Sequence, residues 1–220
     1  MLTESACLHT DEQRQLLLGL AVDSIRYGLE YNRPLHLDPA DCPDWLAEKR
    51  ATFVTLNSAG QLRGCIGTLH AQTSLREDVA RNAWAAATRD PRFSPVTAAE
   101  FPDLAIHISI LGIPEKMAFA SEHELINRLR CGIDGLILRD GTASGTFLPS
   151  VWESLPDPEE FLRHLKLKAG LAANHWSDSV EVYRYMTEMF GADLREILAH
   201  RKTETGDQKT DQQGCQQKGP

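Results

Sequence analysis

The sequence contains no apolar run approaching the roughly 18 to 20 residues that a bilayer span needs. Its longest, Leu16 to Val22, is interrupted by Gly19 and followed by Asp23, and Asp11, Glu12 and Arg14 precede it where a basic leader would stand. The expectation is therefore a chain without a signal peptide, located in the cytoplasm and off the membrane. Cysteine is sparse and odd in number: five residues, at positions 7, 42, 65, 131 and 215, none in a C-x-x-C pair. That spacing fits neither a secreted disulfide frame nor a paired-cysteine zinc site. The eight histidines include no pair at metal-binding spacing, so no structural metal is expected, and no residue pattern calls for a cofactor. Positive charge is in deficit, with 23 Lys and Arg against 31 Asp and Glu. The acidic excess lies in residues 1–200 and disfavours phosphate backbones, which ranks nucleic acid last among partners.

What is present is an ordinary globular composition, 42% hydrophobic and 25% charged, in which helical and strand periods alternate. Thr10 and Gln13 have the form of a capping box, and Leu16, Leu17, Leu20, Ala21 and Ile25 follow at spacings of three and four, predicting a helix over 11–30. Asn32-Arg33-Pro34 stops it. Residues 51–56 read as a strand, Asn57-Ser58-Ala59-Gly60 as a turn, and 61–69 as the returning strand of a hairpin. Ser74 and Glu77 form a second capping box for a helix that Asp90-Pro91 closes. Residues 105–111 alternate Ile106, Ile108 and Ile110 with His107 and Ser109, the period of a strand with two differently used faces.

A short helix from Ser121 to Leu129 follows, then strands at 135–139 and 146–148 across an Asp140-Gly141 turn. Asp157-Pro158-Glu159-Glu160 opens a further helix that Gly170 ends. A strand at 180–186 and a helix at 192–200 complete the pattern. This order predicts an α+β fold, with mixed or antiparallel sheets built from hairpins and flanked by helices in two subdomains. Residues 201–220 hold five glutamines and no aromatic or branched aliphatic residue, the composition of a disordered polar tail.

One run stands out chemically: Leu62-Arg63-Gly64-Cys65-Ile66-Gly67-Thr68. On a regular strand Arg63, Cys65 and Gly67 share one face and Leu62, Gly64 and Ile66 the other. The arginine side chain can then bend across to the sulfur, and a cation there favours thiolate over thiol. Glycines at 64 and 67 weaken the strand and admit a bulge, another backbone or a small ligand. Two readings of Cys65 follow: a nucleophile or ligand-binding thiol, or a small buried hydrophobe on a strand whose glycines serve packing.

The hexapeptide Leu62 to Gly67 resembles the signature of the AMMECR domain family, whose bacterial members are called AmmeMemoRadiSam system protein A. Other segments agree in order: Phe53-Val54-Thr55-Leu56, Asp90-Pro91-Arg92-Phe93, Ser109 with Pro114-Glu115, Phe147-Leu148-Pro149, and Lys168-Ala169-Gly170-Leu171 with Trp176. The resemblance covers about residues 10–190. It implies a single domain over 1–200 with two intertwined subdomains, and partners in the form of a Memo-like protein and a radical SAM enzyme. This chain has no C-x-x-x-C-x-x-C cluster motif, so radical chemistry would belong to the partner.

Three functional classes remain. The first is an accessory component that binds a partner protein or a small molecule around Leu62, Gly64, Ile66, Gly67 and Thr68, with Ser109, Arg92 and Glu115 as further candidates. The second is an enzyme with Cys65 as nucleophile, activated by Arg63, with His107 and Ser109 as first candidates for a base or orienting group and His70 as second. The third is a nucleic-acid-linked regulator. Each candidate also has an ordinary structural reading: Arg92 paired with Asp90 or Glu100, Glu115 as an exposed turn carboxylate, His107 on a solvent-facing strand.

Overall fold

The capping boxes set the helix starts. In the computed structural model, which describes residues 9–38, 40 and 42–201, α1 spans Asp11–Tyr31 with the Thr10 and Gln13 side chains each bonded to the other's backbone N–H. Helix α2 spans Leu75–Thr88 with the same reciprocal pair between Ser74 and Glu77, a device worth about 1 kcal/mol per helix start. The expected tail over 201–220 lies outside the described residues, apart from Arg201.

The chain divides into two compact units. One takes the residues up to Ile110 together with those from Met189 on, and the other spans Leu111–Glu188. The first unit holds a four-stranded sheet in the order β2-β1-β3-β8. Here β1 is Thr52–Ser58, β2 Gln61–Gly67, β3 Leu104–Leu111 and β8 Thr187–Asp193. Strand β1 is antiparallel to both β2 and β3. One face of this sheet is apolar: Val54, Leu56, Ile106, Ile108 and Ile110 are fully buried in a core shared with Leu17, Ala21 and Ile25 of α1 and Val79, Ala83 and Ala86 of α2. The other face carries Phe53, Thr55, Asn57, Ala105, His107 and Ser109, all half-buried or exposed, and the α1–α2 layer lies opposite it. The strand period read from the isoleucines thus separates a core face from an open one.

The α2 N-terminus is tied to the sheet by a buried carboxylate. Asp78 accepts the Thr52 backbone N–H and hydroxyl at 2.8 Å each, the Thr68 hydroxyl at 2.8 Å and the Asn82 amide at 2.9 Å, and it pairs with Arg81.

The second unit is built on a sheet in the order β4-β7-β5-β6, with β4 at Glu115–Lys116, β5 at Gly135–Asp140, β6 at Ala143–Phe147 and β7 at Glu181–Tyr185. Helices α3, Glu122–Arg128, and α4, Pro158–Lys168, belong to it. Phe161 of α4 stacks on Trp152 with ring centroids 3.7 Å apart, and the Trp152 indole N–H donates to the Asp134 carbonyl at 2.7 Å. Lys166, 1% exposed, pairs with Glu122 at 2.5 Å. A last helix, α5, covers 194–201. Two helix-flanked antiparallel sheets make this an α+β fold, as the sequence pattern predicts. Strands β4 and β8 are additions to that pattern.

Candidate functional site

The signature run lies on β2, an edge strand of the first sheet. Its register with β1 puts Cys65 opposite Thr55, and Thr55 is opposite His107 on β3. Directly opposed residues of an antiparallel sheet share a face, so Cys65, Thr55 and His107 form one row across the open face. Gly67, Phe53 and Ser109 form the next row. The register slips between Leu56 and Asn57, so that Gly64 faces Leu56 while Leu62 faces Asn57. Arg63 is the extra residue of a β-bulge, which re-aims its side chain.

The outer edge of β2 is closed by side chains at Cys65. Its backbone N–H donates to Asp90 Oδ2 at 2.8 Å, and its carbonyl accepts from Arg92 Nη2 at 3.3 Å. Asp90 is buried and in turn accepts from Arg92 Nε at 2.9 Å, Arg92 Nη2 at 2.7 Å and the Arg92 backbone N–H at 3.1 Å. The Arg92 guanidinium, more than any other group, holds the Asp90 carboxyl well below the usual carboxylate range, with the Cys65 and Arg92 N–H groups adding to it. The residues that close α2 therefore serve as a partner strand one residue long. They satisfy an edge that would otherwise present free backbone groups. The Cys65 sulfur itself is half-buried and accepts a hydrogen bond from the Thr55 hydroxyl at 3.2 Å.

Several sequence expectations need correction. Arg63 is engaged away from the sulfur: its Nε and Nη2 donate to Glu100 at 3.2 and 3.3 Å, and its Nη1 donates to the Ser94 carbonyl at 2.9 Å. This pairing brings the Glu100 carboxyl down to about 2. The bulge is the reason, since it removes Arg63 from the regular alternation. The guanidinium bonded at Cys65 is that of Arg92.

His107 shares the row with Cys65 but stands two strands away, about 9–10 Å at the backbone. Its ring lies over Gly191 of β8, where an added Cβ would sit 2.3 Å from the imidazole. The structure thus gives the thiol a threonine neighbour and no adjacent histidine base. His70 lies beyond the end of β2, and the irregularity that could have turned it is at Arg63, not Gly67.

The rest of the run divides by face. Gly64 looks toward α2, where a Cβ would come within 2.1 Å of the Ala86 carbonyl oxygen, and Ile66 packs against the core. Neither is placed to touch a ligand. A Cβ on Gly67 would meet the Phe53 ring at 2.2 Å. Thr68 is bonded to Asp78. Leu62 is 42% exposed, and Ser109 is half-buried one row from Cys65. Glu115 belongs to the second unit, exposed on β4 and 3.6 Å from Arg184. Sequence reasoning missed Asp90 and Thr55 as the groups that hold Cys65. The Asp-Pro helix stop was the one visible signal, and it spoke for a local role only. Among the described residues, no cluster of three or more His, Cys, Asp or Glu could hold a metal ion, and no helix is long and apolar enough to cross a membrane.

With this geometry in hand, comparison with known proteins is decisive on kinship. The AMMECR1 family pattern matches residues 18–190. The chain belongs to the AMMECR1 family. A Methanothermobacter thermautotrophicus protein is 38% identical over 194 residues, covering 86% of this chain and 98% of its own. A Thermofilum pendens protein is 37% identical over 195 residues, covering 81% and 89%. The crystal structure of an uncharacterised Pyrococcus horikoshii protein superposes with a TM-score of 0.74 at 34% identity, covering 84% of this chain and 93% of that one. The range of the AMMECR1 match spans the bulged strand, Asp90, Arg92 and Thr55.

Proposed function

We propose that this AMMECR1 chain is an accessory binding component that works with a Memo-like protein and a radical SAM enzyme through the open face of its first sheet around Cys65. The observation that carries the reading is how the local groups are deployed. Asp90 and Arg92 fix the backbone of Cys65, whereas the sulfur is bonded by the Thr55 hydroxyl and His107 packs over Gly191 two strands away. Groups that immobilise a strand edge make a rigid recognition surface, and rigid surfaces lose less entropy on association. Exposed Leu62, opposite Asn57 on that face, supplies apolar area for a partner. An enzyme with Cys65 as nucleophile is the alternative, and it would need its general base from a substrate or partner.

The test is co-purification. The tagged chain is incubated with purified Memo-like and radical SAM proteins of the same organism, as wild type and as Leu62→Glu. Retention of either partner by wild type and its loss with Leu62→Glu is the expected result. Retention of neither, or equal retention by the variant, refutes the reading. Gly64 is unsuitable as the probe, because a side chain there strikes α2.

A further inference from the structure

Arg76 is a buried cation without a counter-ion. It occupies the second position of α2 and is 8% exposed, and its Nε is sealed from solvent with no hydrogen-bond acceptor. Among the described residues, no carboxylate pairs with its guanidinium. The acids around the start of α2 are engaged elsewhere: Glu48 pairs with Arg50 at 2.8 Å, Glu77 accepts the Ser74 backbone N–H and hydroxyl at 3.2 and 2.6 Å, and Asp78 serves Thr52, Thr68 and Arg81. A buried charge left unpaired is costly, so the arrangement calls for an anion from outside the chain.

The surroundings suit one. Side chains of a helix lean toward its N-terminus, so Arg76 is directed at the end of α2 where backbone N–H groups and the helix dipole favour negative charge. Of the first three N–H groups there, that of Leu75 donates to the Glu48 carbonyl at 2.7 Å and that of Glu77 to the Ser74 side chain. The Arg76 N–H between them has no protein acceptor among the described residues. Lys49 lies beside the same turn, its backbone bridged to Ser74. Its side chain is exposed and, among the described residues, has no ion pair.

We propose that the start of α2 binds a phosphate group, held by the Arg76 guanidinium and backbone N–H with the Lys49 ammonium beside it. Two cations and a helix end match a dianionic phosphate better than a single carboxylate. The phosphate is either inorganic or carried by a small metabolite. Because α2 lies on the opposite side of the sheet from Cys65, the site stands whether or not the partner-binding reading above holds.

The Arg76 Nε–H resonance, assigned by its loss in Arg76→Met, reports on the site directly. Inorganic phosphate and glycerol 3-phosphate are titrated into the full chain at constant ionic strength, with succinate as a dicarboxylate of similar charge. Both phosphates are expected to shift the resonance saturably and succinate is not. A midpoint several-fold lower for glycerol 3-phosphate assigns the site to a phosphorylated metabolite, and an equal or higher one to free phosphate. In Lys49→Gln, a change at an exposed residue, the phosphate midpoint should weaken by about threefold. Arg76→Met keeps the buried stem and removes the charge, so phosphate should raise the melting temperature of wild type above its value in chloride and leave that of the variant unmoved. Absence of a saturable shift, an equal shift with succinate, an unchanged midpoint in Lys49→Gln, or an equal thermal response in Arg76→Met overturns the proposal.

Discussion

Gly64→Val is expected to cost about 3 kcal/mol or more and to lower the melting temperature by roughly 6–12 °C. Two independent facts set this magnitude. The first added carbon would lie 2.1 Å from the Ala86 carbonyl oxygen, which belongs to a helix backbone and has no rotamer to escape into. That helix is also buried on the same side by Val79, Ala83 and Ala86, so the clash is relieved only by parting α2 from the sheet. A contrasting variant is Gly60→Asn. Gly60 has a positive φ of 74° with open space around it, and asparagine tolerates that conformation, so its loss should stay within about 1 kcal/mol. Thermal unfolding followed by circular dichroism compares the two. Equal melting temperatures would show that the signature glycine is free of α2.

Asp78→Ala is expected to be comparably severe, about 3–5 kcal/mol, because it leaves several buried donors without an acceptor. Asp78 is fully buried and receives N–H or O–H groups from Thr52, Thr68, Asn82 and Arg81, so that α2, β1 and the end of β2 converge on one carboxylate. Asp78→Asn should rescue little. An amide carries two donors of its own and would point at least one of them at groups that also donate. Urea unfolding midpoints measure both. A midpoint within experimental error of wild type for either variant would mean that the network is ornamental.

How much of this could be read from the chain alone depended on whether the signal was local. The capping boxes at Thr10 and Ser74 and the Asp-Pro cap at 157–158 contain their own instructions, and α1, α2 and α4 begin where those residues say. The two faces of β3 were legible because three isoleucines alternate with polar residues. Strand β8 was not: Thr-Glu-Met-Phe-Gly-Ala-Asp has little strand character of its own and becomes a strand by pairing at the edge of the first sheet. Tertiary pairing overrides weak propensity.

The site divided in the same way. That Cys65 stands on the returning strand of a hairpin could be inferred, and so could Arg92 pairing with Asp90 or Glu100. Which arginine reaches Cys65 could not, since the answer turns on a bulge set by register with β1. Nor could the placement of His107, because Gly191 lies 84 positions away in the chain and meets the ring only in the folded sheet.

The account rests on Arg92 and Asp90, rather than Arg63, defining the surroundings of Cys65, and alkylation of that one thiol tests it most directly. Iodoacetamide labelling resolved by peptide mass spectrometry, across a range of pH, gives the Cys65 rate separately from Cys42 and Cys131. In Arg63→Gln the Cys65 profile should stay within about twofold of wild type, whereas Arg92→Gln, which frees the strand edge, should change it several-fold. The reverse pattern, a profile moved by Arg63→Gln and untouched by Arg92→Gln, would contradict the account.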